Sequence, residues 1–187
     1  MSEKRFNPKK LHKLNNPKRL HDLPPDYLWA KADLQATEVL VDIGAGTGFF
    51  SIPFVPLTKR LYACDISEIM LDWLRENVCP HYPSIIPVKM EMQAVPLPDQ
   101  LADLVYMINL HHELDDPAIL LRECWRLLKD GGKLLIVDWK KQEMAEGPPA
   151  QIRCLPSKVK DDVVRAGFRN GVVDEALAKH FLLVAEK

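Results

Sequence analysis

Short apolar runs alternate with helix-forming stretches through most of the chain, and this alternation restricts the fold more than any other feature. "EVLVDIG" (38–44), "RLYACDI" (60–66), "SIIPVKME" (84–91), "LADLVYMINL" (101–110) and "GKLLIVDW" (132–139) are nearly continuous apolar runs. Runs of this kind suit strands buried on both faces of a parallel sheet. Between them "SEIMLDWLREN" starts at a cap residue, Ser67, and "PAILLRECWRLLK" follows Asp116 with Pro117 at its first turn. The second helix is expected to stop at Gly131, with Leu121, Cys124, Trp125 and Leu128 on one apolar face, which makes Trp125 a core residue. A further helix, "PSKVKDDVVRAGF", is expected to be capped by Ser157 and stopped by Gly167. The ending "FRNGVVDEALAKHFLLVAEK" holds two strands with too little chain between them for a parallel crossover, so they pair antiparallel. The implied class is α/β, a doubly wound, mostly parallel sheet with a C-terminal antiparallel hairpin.

At 187 residues the chain has room for one domain with a sizeable core. It divides into an N-terminal arm and leading helix, 1–35, and the alternating domain, 36–187. No stretch approaches the roughly 20 apolar residues of a membrane span, and Cys64, Cys79, Cys124 and Cys154 form no CxxC pair. A cytoplasmic protein with reduced thiols is expected. The arm is basic: Lys4, Arg5, Lys9, Lys10, Lys13, Lys18 and Arg19 face only Glu3 and Asp22. A solvated arm is the simpler reading, and docking of an anionic partner the alternative. Asn7-Pro8 and Asn16-Pro17 predict two short helical turns within it.

The chemistry starts at "VDIGAGTGFF", where Gly44, Gly46 and Gly48 follow the first strand directly. At the carboxyl end of a parallel strand, glycine lets the backbone turn sharply and approach a ligand closely. Dinucleotides and S-adenosylmethionine both exploit such loops. The dinucleotide pattern G-x-G-x-x-G is not met, since Phe49 stands at its third glycine, and no G-x-x-x-x-G-K-[ST] is present. Asp65, 19 residues after Gly46 at the end of the second strand, can accept both hydroxyls of an adenosine ribose. Asp42 is a carboxylate on an otherwise apolar strand and must be hydrogen-bonded, to loop amides or to a cationic ligand group. Pro53 and Pro56 predict that the helix after the loop is short or bent.

Taken together, "VLVDIGAGTGFFS", "YACDIS", "MEMQAVPLPDQLADLV", "NLHHELDD", "LKDGGKLLIVDW" and "AGF" resemble class I S-adenosylmethionine-dependent methyltransferases. The likeness is greatest to the small-molecule, type 11 branch that includes quinone-biosynthesis methyltransferases, and it covers about residues 36–187. The resemblance implies a Rossmann-like, seven-stranded sheet and S-adenosyl-L-methionine as cofactor, with S-adenosyl-L-homocysteine as product. It also implies that Asp42 and the loop Gly44, Ala45, Gly46 and Gly48 hold the methionine moiety, Asp65 the ribose, and Ile66 one side of adenine. Glu91 and Met92 stand where the family has an aspartate and a small residue, and would serve the adenine amino group and a ring nitrogen. Asn109, ending the fourth strand, would face the sulfonium region.

Methyl transfer to a hydroxyl or carbon acid benefits from a base, and His111 and His112 follow the fourth strand. Adjacent histidines point in different directions, so one at most reaches an acceptor, and His111 is preferred. "HHELDD" has no second cluster to complete a metal site. The loop 140–157 is long enough to cover an acceptor, with Arg153 and Trp139 as candidate contacts beside their packing roles. The expected activity is transfer to a small-molecule acceptor. The alternatives are a nucleic-acid or protein methyltransferase docking through the arm, a non-catalytic cofactor-binding protein, and a nicotinamide oxidoreductase. The sequence lacks both an N-P-P-Y motif and a Pro-Cys nucleophile, which speaks against base methylation.

Overall fold

The computed structural model describes residues 7–35 and 37–187. Glu3, Lys4 and Arg5 of the arm lie outside them.

Seven strands form one sheet in the order β3-β2-β1-β4-β5-β7-β6. They are β1 (Thr37–Ile43), β2 (Thr58–Asp65), β3 (Ile85–Lys89), β4 (Ala102–Ile108), β5 (Leu128–Trp139), β6 (Arg169–Asp174) and β7 (His180–Glu186). Pairings from β3 through β5 are parallel, while β7 runs antiparallel to both β5 and β6. The C-terminal hairpin follows from its short link, as the sequence predicts.

Side-chain alternation along β1 splits the core into two layers. Val39, Val41 and Ile43 face the layer that receives Leu121, Cys124 and Val163 from α4 (Pro117–Leu127) and α5 (Pro156–Arg165). Leu40 faces the other layer, with Leu104, Leu135 and Leu182. There α2 (Pro25–Ala32) contributes Leu28, and α3 (Glu68–Trp73) Leu71. Asp42 shares the parity of Leu40, so a carboxylate enters this second apolar layer near its edge, in register with Tyr106 of β4.

Several boundaries differ from expectation for local reasons. The segment after the glycine loop is a 3-10 helix, Ile52–Leu57, because Pro53 and Pro56 remove the donors an α-helix needs. α3 widens into a π-turn at Leu74–Val78, and the Ser67 side chain makes no capping bond. Asp65 Oδ1 accepts the Ser67 amide instead, at 2.8 Å. Asp116 does cap α4, accepting from the Ala118 amide at 3.0 Å. That helix ends at Leu127 and passes straight into β5, so Gly131 lies in the strand and not at a helix stop. Its buried face is Leu120, Leu121, Cys124 and Leu127, centred on Cys124. Trp125 lies about 100° further round the helix; it is 40% exposed and corrects the core expectation, with Lys187 Nζ 3.9 Å above its ring. α5 begins at Pro156 with Leu155 at the N-cap, leaving Ser157 inside the first turn, and it stops before Gly167 as expected. The arm forms a 3-10 helix, Pro8–Asn15, and a short helix α1 (Lys18–Asp22). Among the described residues no helix is long and apolar enough to cross a membrane.

Candidate active site

β1 leads to β2 on one side of the sheet, while β4 pairs on its other side. Diverging connections of this kind leave a crevice at the carboxyl ends of the strands. A cavity of about 1070 Å³ occupies this crevice. It is lined from β1 by Asp42, from the following loop by Gly44 to Thr47, from β2 by Asp65, from β4 by Ile108 and from β5 by Trp139.

The glycine loop is held in place by β2. The amides of Gly44 and Ala45 donate to the Cys64 carbonyl at 2.8 and 3.0 Å, and the Gly46 amide donates to Asp65 Oδ2 at 2.8 Å. Gly44, Ala45 and Gly46 line the cavity, whereas Gly48 does not. Gly48 has φ +74°, and a Cβ there would sit 2.6 Å from Leu74 Cδ2, so it serves close packing against the π-turn.

Asp65 is buried, and burial raises its pKa against the pull of the Ser67 and Gly46 amides. Each of its oxygens already accepts one amide, which leaves a second lone pair on each. Two fixed acceptors one carboxylate apart suit the vicinal hydroxyls of a ribose. Beyond them, Ile66 and Met92 are 40% and 48% exposed, and Met70 and Met90 line the same end of the cavity. This apolar slot suits a purine. Met92 therefore reaches the cavity, but Glu91 does not line it; the Glu91 amide donates to the Ala94 carbonyl, and Gln93 takes its place on the wall.

Asp42 does not hold the loop amides. Its Oδ2 accepts from Ser51 Oγ at 2.6 Å, and burial, opposed by Ser51 and by the charge of Arg19, raises its pKa to about 7. Asn109 adopts φ +59°, a left-handed conformation uncommon outside glycine, and its buried Oδ1 has no partner. Asn109 itself lines the cavity, and a strained backbone with an unsatisfied buried acceptor at this point is a feature that structural packing alone does not reward. The residues here fit an adenosyl-methionine group: ribose acceptors, an apolar slot, and a carboxylate beside bare loop backbone.

The histidines separate clearly. His112 lines the cavity, while His111 is buried off it with both ring nitrogens unpartnered. Burial lowers the pKa of His111. For His112 burial acts the same way but is outweighed by the hydrogen bond and charge of Asp138, and the net shift is upward. His112 Nδ1 lies 2.7 Å from Asp138 Oδ1, and the His112 amide donates to Asp138 Oδ2 at 2.8 Å. Asp138 also accepts the Trp139 amide at 2.7 Å. Reading the sequence alone did not single out Asp138; the available signal was a carboxylate ending an apolar strand, which must find partners if buried.

Residues 146–149 and 152 of the loop 140–157 line the far end of the cavity, beside Trp139. Arg153 is 2% exposed and faces inward, donating to the carbonyls of Pro148, Lys140, Gln142 and Glu146. It braces the loop and is no clamp for a free anion. Trp139, Pro148, Pro149 and Ile152 line this end, and His180 stacks on Trp139 at 4.2 Å between ring centroids. The arm is not a free tail: Lys18 pairs with Glu146, and Lys179 bridges Glu146 and Asp22.

A family model described as "Methyltransferase domain" matches residues 41–136. The fold is similar to a crystal structure of a SAM dependent methyltransferase from Aquifex aeolicus, with a TM-score of 0.91 and 30% identity, covering 97% of this chain and 99% of that one. A ubiquinone/menaquinone biosynthesis C-methyltransferase from Pseudoalteromonas translucida is 29% identical over 62% of this chain and 50% of its own length. A ubiquinone biosynthesis O-methyltransferase from Xanthomonas oryzae pv. oryzae is 33% identical over 64% of this chain and 51% of its own. These matches span about half the length of the two curated relatives.

Proposed function

Because the chain belongs to the methyltransferase domain family, we propose that it transfers the methyl group of S-adenosylmethionine to a small-molecule acceptor. The observation that carries this reading is a single cavity with two unlike ends: ribose acceptors and an apolar slot at one, a histidine–carboxylate pair beside Trp139, Pro148, Pro149 and Ile152 at the other. When bound, the cofactor supplies a methyl on positively charged sulfur, which departs as a neutral thioether once an acceptor lone pair takes the methyl.

The chain's own residues then have three tasks. Asp65 and the loop from Gly44 to Gly46 position the adenosyl group, and Asp42 in its ionised form holds the ammonium. Asn109, on the cavity wall at the end of β4, would sit beside the methyl-bearing end of the cofactor. His112 removes the acceptor proton: Asp138 holds Nδ1–H, which leaves Nε2 to act as the base. The loop braced by Arg153 excludes water from the acceptor end.

The acceptor is an apolar or aromatic molecule with an acidic O–H or C–H, in keeping with Trp139, Pro148, Pro149 and Ile152 on the wall. A reducing, cytoplasmic setting agrees with four free cysteines. The test is release of S-adenosylhomocysteine when the protein meets S-adenosylmethionine and a panel of phenols, quinols and β-keto acids. Turnover with a member of the panel, abolished in His112→Ala, is expected; binding of the cofactor with no turnover on any acceptor class would leave a binding protein.

A further inference from the structure

The sheet has two edge strands, β3 and β6, and they are not alike. On β3 the Ser84 carbonyl accepts from the Leu61 amide, so by alternation Ile86 and Val88 turn their backbone groups toward β2, and Ile85, Pro87 and Lys89 turn theirs outward. A proline without a donor on the free side, followed by a lysine, bars a further strand from this edge. β6, Arg169–Asp174, contains neither proline nor lysine.

The free backbone groups of β6 follow from the bonding of β7. The Lys187 amide donates to the Gly132 carbonyl and the Lys179 carbonyl accepts from the Lys140 amide, so odd-numbered residues of β7 bond to β5 and even-numbered ones to β6. Val172 and Asp174, opposite Val184 and Leu182, are therefore the residues that bond to β7, and Gly171 and Val173 direct N–H and C=O away from the sheet. The regular edge ends at Asn170, where φ is +55° and the register shifts. Apolar side chains flank this edge on both faces. Val172, beside Val184, is 65% exposed. On the other face α5 sets Lys160 against Gly171, and Val164, one turn along that side of the helix, is 53% exposed. Arg169 and Glu175, both exposed, stand at the two ends. Arg169 donates to the Lys187 carbonyl, and among the described residues neither side chain forms an ion pair.

We propose that the β6 edge pairs antiparallel with the β6 edge of a second copy of this chain, about a two-fold axis at Val172. In this register Gly171 of each copy opposes Val173 of the other, and each such pair exchanges both backbone hydrogen bonds. Val172 meets its own symmetry mate in the closer, non-bonded pair, and Arg169 faces Glu175. The charges select this occupant: a cation and an anion lie three residues either side of Val172, the spacing that an isologous contact needs to match each with its opposite. The helices agree with the strands. Each α5 lies over β6 and β7. With strands about 4.8 Å apart the two copies of α5 come to about 10 Å, a contact distance for packed helices, with Val164 on the sides that meet. The carboxyl-end cavity stays outside this contact, so the pairing stands apart from the methyl-transfer reading.

Sedimentation equilibrium from about 10 μM to 1 mM, a range that brackets a weak dimer, tests the pairing. The mass should rise from 21.4 kDa toward twice that value. Val172→Lys, at an exposed position, should weaken association by about tenfold or more by setting two ammonium groups against each other, with the thermal melt unchanged. Arg169→Glu and Glu175→Arg should each weaken it by about tenfold, because the two-fold makes every change count twice, and the double variant should restore the wild-type constant. A chain still monomeric at about 1 mM overturns the proposal and leaves the edge to a different protein or to none. A dimer that Val172→Lys leaves intact overturns it as well, and a double variant no tighter than the single ones overturns the two-fold register on which it stands.

Discussion

Asp42 should make the ligand-free protein lose stability as the solution becomes neutral. An unfolded aspartate ionises near 3.8, whereas burial keeps the folded group protonated up to about 7. The folded chain thus binds this proton more tightly. The stability so gained is complete below about 3.8 and disappears as pH rises through about 7. Three pKa units correspond to roughly 4 kcal/mol, of which about 2 to 3 kcal/mol is lost between about pH 5 and pH 8. Asp42→Asn removes the titration while keeping an acceptor for Ser51 Oγ, now 2.6 Å away. Urea unfolding of both proteins at the two pH values, followed by circular dichroism, gives the comparison. Asp65, also raised by burial, and His111, lowered by it, titrate in both proteins and cancel to first order in the difference. The variant should gain on the wild type by about 2 to 3 kcal/mol over that interval; a difference between the two that stays constant with pH would refute the reasoning. The same group links stability to binding. An ammonium ligand favours the ionised form, so cofactor affinity should climb through about pH 7 in the wild type and stay flat in Asp42→Asn.

Asp65→Ala should weaken S-adenosylhomocysteine and 5′-methylthioadenosine alike, by about 10- to 100-fold, because the ribose is common to both; calorimetry that shows either probe unaffected would speak against the ribose role. Asp138→Asn should lower kcat. It should also move the acid limb of the pH–rate profile to lower pH, because the interaction that raises the His112 pKa is weakened; a profile that does not move excludes His112 as the base. Gly147→Ala places a Cβ 2.8 Å from the Trp139 ring at a residue with φ +85°. It should cost about 1 to 3 kcal/mol locally and open loop 140–157 to trypsin, with cofactor affinity kept; an unchanged digestion rate would show that the loop does not rest on this contact.

Features written in local pattern are legible in the sequence. The strand runs, the hairpin forced by a short link, the prolines that cut the helix after the glycine loop, and Asp65 at the end of β2 depend on periodicity and neighbours a few residues away. Helix phase is not legible in the same way: spacing places Trp125 inside because it does not say where on the wheel an apolar face is centred, and an error of one residue turns a side chain by about 100°. Ser67 does stand at the N-cap of α3, but its side chain makes no capping bond, and local sequence does not tell where a hydroxyl will turn.

What the sequence determined by itself is the sheet, its carboxyl edge and the loop that makes that edge receptive, because hydrophobic period and backbone sterics act within single elements. Only the tertiary structure decided which side chains meet there. Asp138 selects His112 over its neighbour from 26 residues away, Arg153 turns its charge inward to hold its own loop, and the arm is pinned through Glu146, 128 residues beyond Lys18. Buried charge must find a partner wherever in the chain that partner lies, and sequence distance does not record which groups burial brings together.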